Sequence, residues 1–222
     1  MADPADYDWP ALLAGASWLH LSGVSAAVGP RAARAALDAA HAAVRCGVRV
    51  PFDGNYRASL WHQRQSDGAD VLHELLSHAD LAFADQRDIA LVLRWPDLAR
   101  PECRTTAAQA AFAAFPRLRA LAATVRTQYS INHHALAATL HTRDSIFETN
   151  TMQVPAVVDR IGTGDAFAAG MLHGMLRGWS EPASLDFALA AAVTKHSISG
   201  DFNLASEPQI MAIAQGALDV RR

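Results

Sequence analysis

The sequence contains one lysine, Lys195, and two cysteines, Cys46 and Cys103. A P-loop needs a lysine directly after a glycine, and Lys195 follows Thr194, which excludes that phosphate-binding motif. The two cysteines follow no metal-ligand spacing. We interpret them as reduced thiols, as is typical of a cytoplasmic protein.

Long apolar runs and basic blocks are also lacking. No apolar run approaches the roughly 20 residues needed to span a bilayer. The opening residues, "MADPADYDWP", are acidic and contain proline, unlike a signal peptide. The formal net charge is −3, with no basic block of the kind that binds nucleic acid. We therefore expect a cytoplasmic protein with neither a membrane nor a nucleic-acid partner.

The chain has 222 residues, of which 51% are hydrophobic and 18% charged, which suits one large domain over residues 1–222. Short apolar strands alternate with longer helical stretches, and this order predicts an α/β fold. Among them, we predict a helix that starts at Pro30 and stops at Gly47, and a strand over residues 120–126. We expect a mostly parallel sheet flanked by helices, with an antiparallel excursion around Arg143–Asp144. In such sheets ligands bind beyond the carboxyl ends of the strands.

The stretch "DRIGTGDAFAAG" places two glycines and an aspartate where a turn becomes a helix. Gly162 and Gly164 permit close backbone approach, and a helix N-terminus offers free N–H groups and a positive dipole end, which together suit an anion. A dinucleotide fingerprint is excluded because Phe167 stands where its third glycine belongs. The alternative is that Asp165 simply caps the helix, and the residues alone leave both interpretations open.

Polar residues also follow two other predicted strands. Asp53, Asn55 and Arg57 alternate, so an extended chain would place them on one face, suited to a polyol, carboxylate or phosphate. Asp85 and Asp88 could hold a hydrated Mg²⁺. A solvated loop explains the first set equally well. The second set is explained as well if Asp85 ends a strand and Asp88 caps the following helix.

Other chemistries find less support. The ten histidines include no HExxH pair and no cluster with cysteine, and we expect His133 and His134 in an exposed loop. No G-x-S-x-G elbow is present, which leaves serine hydrolysis without a nucleophile. Gly170 and Gly174 are small residues that predict a helix lying close to the sheet.

Several stretches together resemble one family. "VVDRIGTGDAFAAGML" resembles the C-terminal signature of the ribokinase-like (PfkB) carbohydrate kinases, and its "DRIGxGDAFAAG" form is similar to that of bacterial 2-keto-3-deoxygluconate kinases. "GASWLHLSGVSAAVG" with "FDGNYRASLW", and the tail "TKHSISGDFNLAS", agree with it in the same order. The resemblance implies a three-layer ribokinase-like α/β fold and ATP-dependent phosphorylation of a sugar acid, with Mg²⁺.

The resemblance also implies roles for single residues. Asp165 would be the catalytic base, above an anion hole formed by the backbone of Gly162, Thr163 and Gly164. By the same resemblance, Asn55 and Arg57 would contact the sugar acid and the ATP phosphates, and Thr124 and Arg126 would contact the nucleotide phosphates. Asp85 and Asp88 would bind Mg²⁺, although many relatives have Asn-x-x-Glu at these positions.

Family members usually begin with further strands, a β-sheet lid and a sugar-binding Gly-Gly motif, which we expect to be missing here. That absence predicts exposed apolar surface and self-association into a homo-oligomer. It leaves a non-catalytic remnant that binds nucleotide or a partner as an alternative function. A neutral sugar of the fructose or ribose type is an alternative substrate.

Overall fold

The computed structural model describes residues 4–216, which fall into two compact units. The first unit takes in the described residues up to Ala122 together with His141–Asp144. The second takes in Ala123–Leu140 and the described residues from Ser145 onward. The expectation of a single domain over residues 1–222 stays a prediction.

The described residues form ten α-helices and seven strands, joined by short 3₁₀ turns. The helices are α1 (Trp9–Leu12), α2 (Gly23–Ala27), α3 (Pro30–Arg45), α4 (Ala58–Gln63), α5 (Ala69–Ser77), α6 (Gln86–Val92), α7 (Arg104–Ala114), α8 (Thr163–Leu176), α9 (Glu181–Lys195) and α10 (Glu207–Ala214). The strands are β1 (Leu21–Ser22), β2 (Pro51–Asp53), β3 (Leu81–Phe83), β4 (Ala120–Gln128), β5 (His134–Thr142), β6 (Ile146–Glu148) and β7 (Met152–Val154).

The first unit contains a parallel sheet in the order β1-β2-β3-β4. Its register pairs Leu21 with Phe52, Phe52 with Ala82, and Ala82 with Leu121. An isolated parallel bridge joins Trp18 to Arg49 ahead of β1. The prediction of parallel strands alternating with helices is therefore confirmed for this unit.

Helix α3 shows why the sequence pattern was informative here. Pro30 occupies its first turn, where the missing N–H costs nothing, and Gly47 follows its end with a left-handed φ of 71°. Its alanines recur at three- and four-residue spacing on the buried side. Three of them pack into the main core of the unit, whose largest buried side chains include Trp61, Leu75 and Phe115, and two others pack into a smaller cluster.

The second unit contains the antiparallel part of the sheet. Strand β5 pairs with β7, with His134 opposite Val154 and Leu136 opposite Met152. The predicted antiparallel excursion is thus confirmed, although its returning strand is split into β6 and β7. Helix α8 packs on α9, and α10 packs on α9.

The small residues of α8 serve its contact with α9 and not, as predicted, an approach to the sheet. A Cβ on Gly170 would lie 2.8 Å from Cα of Ala188, and one on Gly174 would lie 2.5 Å from Oγ of Ser184. The two glycines are four residues apart and so share one helix face. Their missing side chains let the two helix backbones come close together.

Helix α6 begins with a capping box built by Asp85 and Asp88. Asp85 is the N-cap, and its Oδ1 accepts hydrogen bonds from the backbone N–H of Arg87 (2.7 Å) and of Asp88 (3.3 Å). Oδ2 of Asp88 accepts in return from the N–H of Asp85 at 2.9 Å. The alternative that this pair of aspartates serves helix capping is therefore confirmed, but the N-cap is Asp85 and not Asp88. Burial, together with the charge of Asp85, raises the pKa of Asp88 to about 6.

We predict that Asp88 makes stability fall as the pH rises. Because its folded pKa is raised, its stabilising contribution is fully present below its unfolded pKa and is lost as the pH rises through about 6. Asp88→Asn keeps the acceptor oxygen without the charge. Between about pH 4 and pH 8, the free energy of unfolding should fall by up to about 3 kcal/mol more in the wild type than in Asp88→Asn. Urea unfolding across this range, with the exposed Asp144→Asn as control, measures the difference. Parallel curves for the wild type and Asp88→Asn would contradict it.

We also predict that Gly174→Ala destabilises the protein by about 1–3 kcal/mol, because its new methyl group meets Ser184. Gly164→Ala is the matched control, since it lies in the same helix and its Cβ would meet no atom of the described residues within 4 Å. The control should be neutral or slightly stabilising because alanine favours the helix. Equal unfolding midpoints in urea for the two variants would show that the contact with α9 is not tight.

Candidate active site

The start of α8 is uncapped by any side chain. Its N-cap is Gly162, and no side-chain hydrogen bond closes this end of the helix among residues 4–216. Asp165 is the third residue of the helix and is exposed, so the alternative that it caps the helix is wrong. The first N–H groups of a helix have no intrahelical partner and carry the positive end of the dipole. This end of α8 is therefore suited to an anion.

The two glycines at this turn are explained by different constraints. Gly162 has a left-handed φ of 74°, and a Cβ there would lie 2.2 Å from the carbonyl oxygen of Asp201. Gly164 is under no such constraint, since a Cβ there would enter open space. The fold thus requires glycine at 162 but not at 164. At 164 the absence of a side chain leaves the helix N-terminus open.

The residues before Gly162 are held in place by a network of hydrogen bonds. Oδ1 of Asp159 accepts from the N–H of Ile161, and Oδ2 accepts from the N–H of Gly200, both at 2.9 Å. The hydroxyl of Thr163 donates to the carbonyl of Arg160 at 3.0 Å, and the N–H of Thr163 lies 3.5 Å from the same oxygen. Sequence reasoning assigned no role to Asp159. Its position two residues before Ile161, suited to a local side-chain bond to the backbone, was the available signal.

Within the first unit, the turn after β2 does not have the predicted conformation. Asn55 has a left-handed φ of 34°, and its N–H donates to Oδ1 of Asp53 at 3.1 Å. The chain turns at this point, so the expectation of an extended segment with Asp53, Asn55 and Arg57 on one face is wrong. Arg57 is the exposed N-cap residue of α4.

The same turn lies directly over the start of α6. The N–H of Gly54 donates to the carbonyl of Phe83 at 2.9 Å, and a Cβ on Gly54 would lie 3.6 Å from Cγ of Asp88. The carbonyl of Gly54 packs so tightly on Gly23 that a Cβ there would lie 2.2 Å away. The first unit therefore brings the Asn55 turn and the capping box together at the carboxyl ends of β2 and β3.

The carboxylates of the capping box already have partners. Asp85 binds the N–H groups of α6 and forms an ion pair with the guanidinium of Arg87. No group of three or more His, Cys, Asp or Glu side chains in the described part of the chain is arranged to hold a metal ion. A role of Asp85 and Asp88 toward hydrated Mg²⁺ stays a prediction.

Thr124 and Arg126 lie within β4, which extends two residues past the predicted strand end. Both are exposed, and because they alternate along the strand they share one face. Burial lowers the pKa of His134, as do the charges of Arg126 and Arg160. Arg126 therefore lies in the electrostatic neighbourhood of the turn that precedes α8.

The environment of His134 differs from the prediction. The sequence suggested an exposed loop, but His134 begins β5 and is completely buried. Its ring lies 6.3 Å from that of His196, and neither of its ring nitrogens has a hydrogen-bond partner among residues 4–216. Burial also lowers the pKa of His196, so both rings are held toward the neutral form.

The helices of residues 4–216 include none with both the length and the apolar character of a membrane span.

Solved structures of carbohydrate kinases share the fold. A PfkB family carbohydrate kinase from Listeria grayi is 33% identical with a TM-score of 0.86, over 95% of this chain and 63% of its own. The 2-dehydro-3-deoxygluconokinase of Thermotoga maritima is 29% identical with a TM-score of 0.87, over 97% of this chain and 65% of its own. The predicted ribokinase-like fold, with a mostly parallel sheet flanked by helices, is confirmed by these likenesses.

A curated relative points the same way. The 2-dehydro-3-deoxygalactonokinase of Haloferax volcanii is 26% identical over 201 residues, which are 90% of this chain and 58% of that protein. The chain thus spans between half and two thirds of the length of these relatives. The family model for pfkB carbohydrate kinases matches residues 2–204, nearly the whole sequence. The chain belongs to the pfkB family of carbohydrate kinases.

Proposed function

We propose that the protein transfers the γ-phosphoryl group of ATP to a hydroxyl of a sugar acid, with 2-keto-3-deoxygluconate converted to its 6-phosphate. One observation carries the proposal: an exposed carboxylate, Asp165, stands in the first turn of a helix whose N-terminus is capped by no side chain among residues 4–216. An acceptor for a proton and a site for an anion are thus adjacent. Membership of a carbohydrate kinase family gives this pairing its chemical meaning.

Asp165 accepts the proton of the attacking sugar hydroxyl. The hydroxyl oxygen forms a bond to the γ-phosphorus as the bond from that phosphorus to the β-phosphate oxygen breaks, and ADP leaves. Phosphoryl transfer depends mainly on positioning and on stabilising negative charge. The backbone of Gly162, Thr163 and Gly164 supplies that stabilisation. Mg²⁺ enters bound to ATP as part of the substrate and offsets phosphate charge.

The roles of other residues in substrate binding are assigned from the chemistry of their side chains. Arg57 has an exposed guanidinium, which suits a carboxylate or phosphate oxygen pair, and Asn55 adds an amide in the same turn. We assign these two to the sugar acid and the transferred phosphate. Thr124 and Arg126, both exposed on β4, are assigned to the nucleotide phosphates.

The names of the relatives favour a sugar acid over a neutral sugar. The Thermotoga maritima and Haloferax volcanii proteins are named for 2-dehydro-3-deoxy sugar acids. A fructokinase from Klebsiella pneumoniae, 28% identical over 169 residues, keeps a neutral ketose as the second candidate.

We predict that Asp165→Asn lowers the rate of phosphoryl transfer by about 10²- to 10⁴-fold, since a positioned base is worth that much. ADP binding should change less than about threefold, because Asp165 acts on the sugar hydroxyl. Coupled ADP release with MgATP and 2-keto-3-deoxygluconate, and calorimetric titration with ADP, measure the two effects.

The exposed Glu148→Gln removes an equal charge from the second unit and serves as the control. Undiminished turnover in Asp165→Asn would contradict the role of Asp165. If the wild-type chain binds ADP but produces no ADP from ATP with any sugar, the result would instead favour a non-catalytic binding protein.

We further predict that kcat/KM for 2-keto-3-deoxygluconate exceeds that for fructose and ribose by at least about tenfold. The expected reason is the carboxylate, which the neutral sugars lack and which Arg57 can bind. Arg57→Gln should reduce the preference by lowering the value for the sugar acid alone. A higher kcat/KM for fructose or ribose would overturn the substrate assignment while leaving the kinase assignment intact.

A further inference from the structure

The only lysine of the chain is buried at the end of α9, directly before the segment whose backbone bonds to the turn that leads into α8. Lys195 is the last residue of α9 and has no exposed surface, and its Nζ donates to the carbonyl of Ile198 at 2.8 Å. A buried ammonium is costly unless it is compensated. The pKa of Asp159 is held below its ordinary value, first by the hydrogen bonds that its carboxylate accepts from the N–H groups of Ile161 and Gly200, and to a smaller extent by the charge of Lys195.

The backbone after α9 is bonded directly to the backbone before α8. The carbonyl of His196 accepts from the N–H of Val158 at 2.8 Å and from that of Asp159 at 3.2 Å. The Asp159 carboxylate then links Gly200, on one segment, to Ile161, on the other, at 2.9 Å each. These bonds tie residues 158–161 to residues 196–200 on both sides of the carboxylate.

These hydrogen bonds reach the residue directly before the N-cap of α8. Ile161 immediately precedes Gly162, whose Cα packs on the carbonyl of Asp201 with no room for a methyl group. Any movement of residues 196–201 must therefore move the first turn of α8. Asp159 and Lys195 act on the position of this turn and, through it, on the N–H groups of the helix N-terminus.

We propose that Asp159 and Lys195, which both bond to the backbone of residues 196–200, act together as a positioning pair that holds the N-terminus of α8, and with it Asp165, in place for phosphoryl transfer. The effect of the pair on catalysis rests on the proposed function, whereas its effect on the position of the helix N-terminus does not. Neither residue contacts the reacting atoms. Their effect on the rate follows because misplacing a reacting group by about 1 Å can cost about 10²-fold.

The first test is kinetic and uses Asp159→Asn, Lys195→Met and the control Glu148→Gln. Each of the first two variants should lower kcat about 10²-fold, with KM for 2-keto-3-deoxygluconate and for MgATP within about threefold. The control should match the wild type. Because the two residues act as one unit, the double variant should fall within about threefold of the worse single variant. Effects that multiply, to about 10⁴-fold, would overturn the pairing.

The second test needs no substrate. Hydrogen exchange of the amides of residues 160–166 should be at least about tenfold faster in Asp159→Asn and Lys195→Met. Amides of the middle of α9 should keep their wild-type rates, and urea unfolding shows what fraction of each variant is folded. Faster exchange throughout the second unit, with activity lost in proportion to the unfolded fraction, would make the pair merely structural and overturn the proposal.

The two tests separate the two proposals. Localised exchange at residues 160–166 in the variants, with a wild-type chain that phosphorylates no sugar, would support the positioning pair and reject the kinase function. Wild-type exchange rates in both variants would reject the positioning pair whatever the activity. If Lys195→Met fails to fold, Asp159→Asn still decides the test, because Asp159 is only half-buried and its substitution should disturb the fold less.

Discussion

Helix α8 can occupy its place only because its N-cap and two positions within it carry no side chain. Gly162 packs on the carbonyl of Asp201, while Gly170 and Gly174 let the helix lie against α9. A Cβ at any of the three would come closer than 3.0 Å to a neighbouring atom, which folded proteins do not tolerate. These contacts fix the axis of α8 and the point at which it begins. The position of Asp165 follows from them.

The aspartates of the chain show how environment divides one residue type among several tasks. Asp85 caps a helix, and Asp88 is held toward its protonated form by burial and by Asp85. Asp159 is held toward its charged form by amide hydrogen bonds and a buried lysine. Asp165 is exposed in the first turn of an uncapped helix. Of the four, Asp165 is the one that is open to act on a substrate.

Much of the fold followed from local pattern. The helical run between Pro30 at its start and Gly47 after its end located α3 to within two residues. The alternation of strands and helices predicted the parallel sheet, and "DRIGTGDAFAAG" located the turn before α8. Such features were predictable because helix capping and side-chain periodicity depend on residues within a few positions of one another.

The errors have a common physical cause. Asn55 was expected in an extended chain and His134 in a loop, and Gly170 and Gly174 were expected to face the sheet. Each depends on what lies opposite in space: a bond from the Asn55 N–H to Asp53, strand β7 beside His134, and α9 beside the two glycines. Alternation along a strand or helix says which residues share a face, but not which element that face meets.

By itself the sequence determined the fold class, the family and the uncommon turn that ends in Asp165. Only the tertiary structure decided that Gly162 and not Asp165 is the N-cap of α8, and that the chain's one lysine is buried. The reason is that burial and close approach are set by residues distant along the chain. Lys195 and Asp159 are separated by 36 positions in the sequence, and only folding joins the Asp159 carboxylate to Gly200, in the segment that follows Lys195.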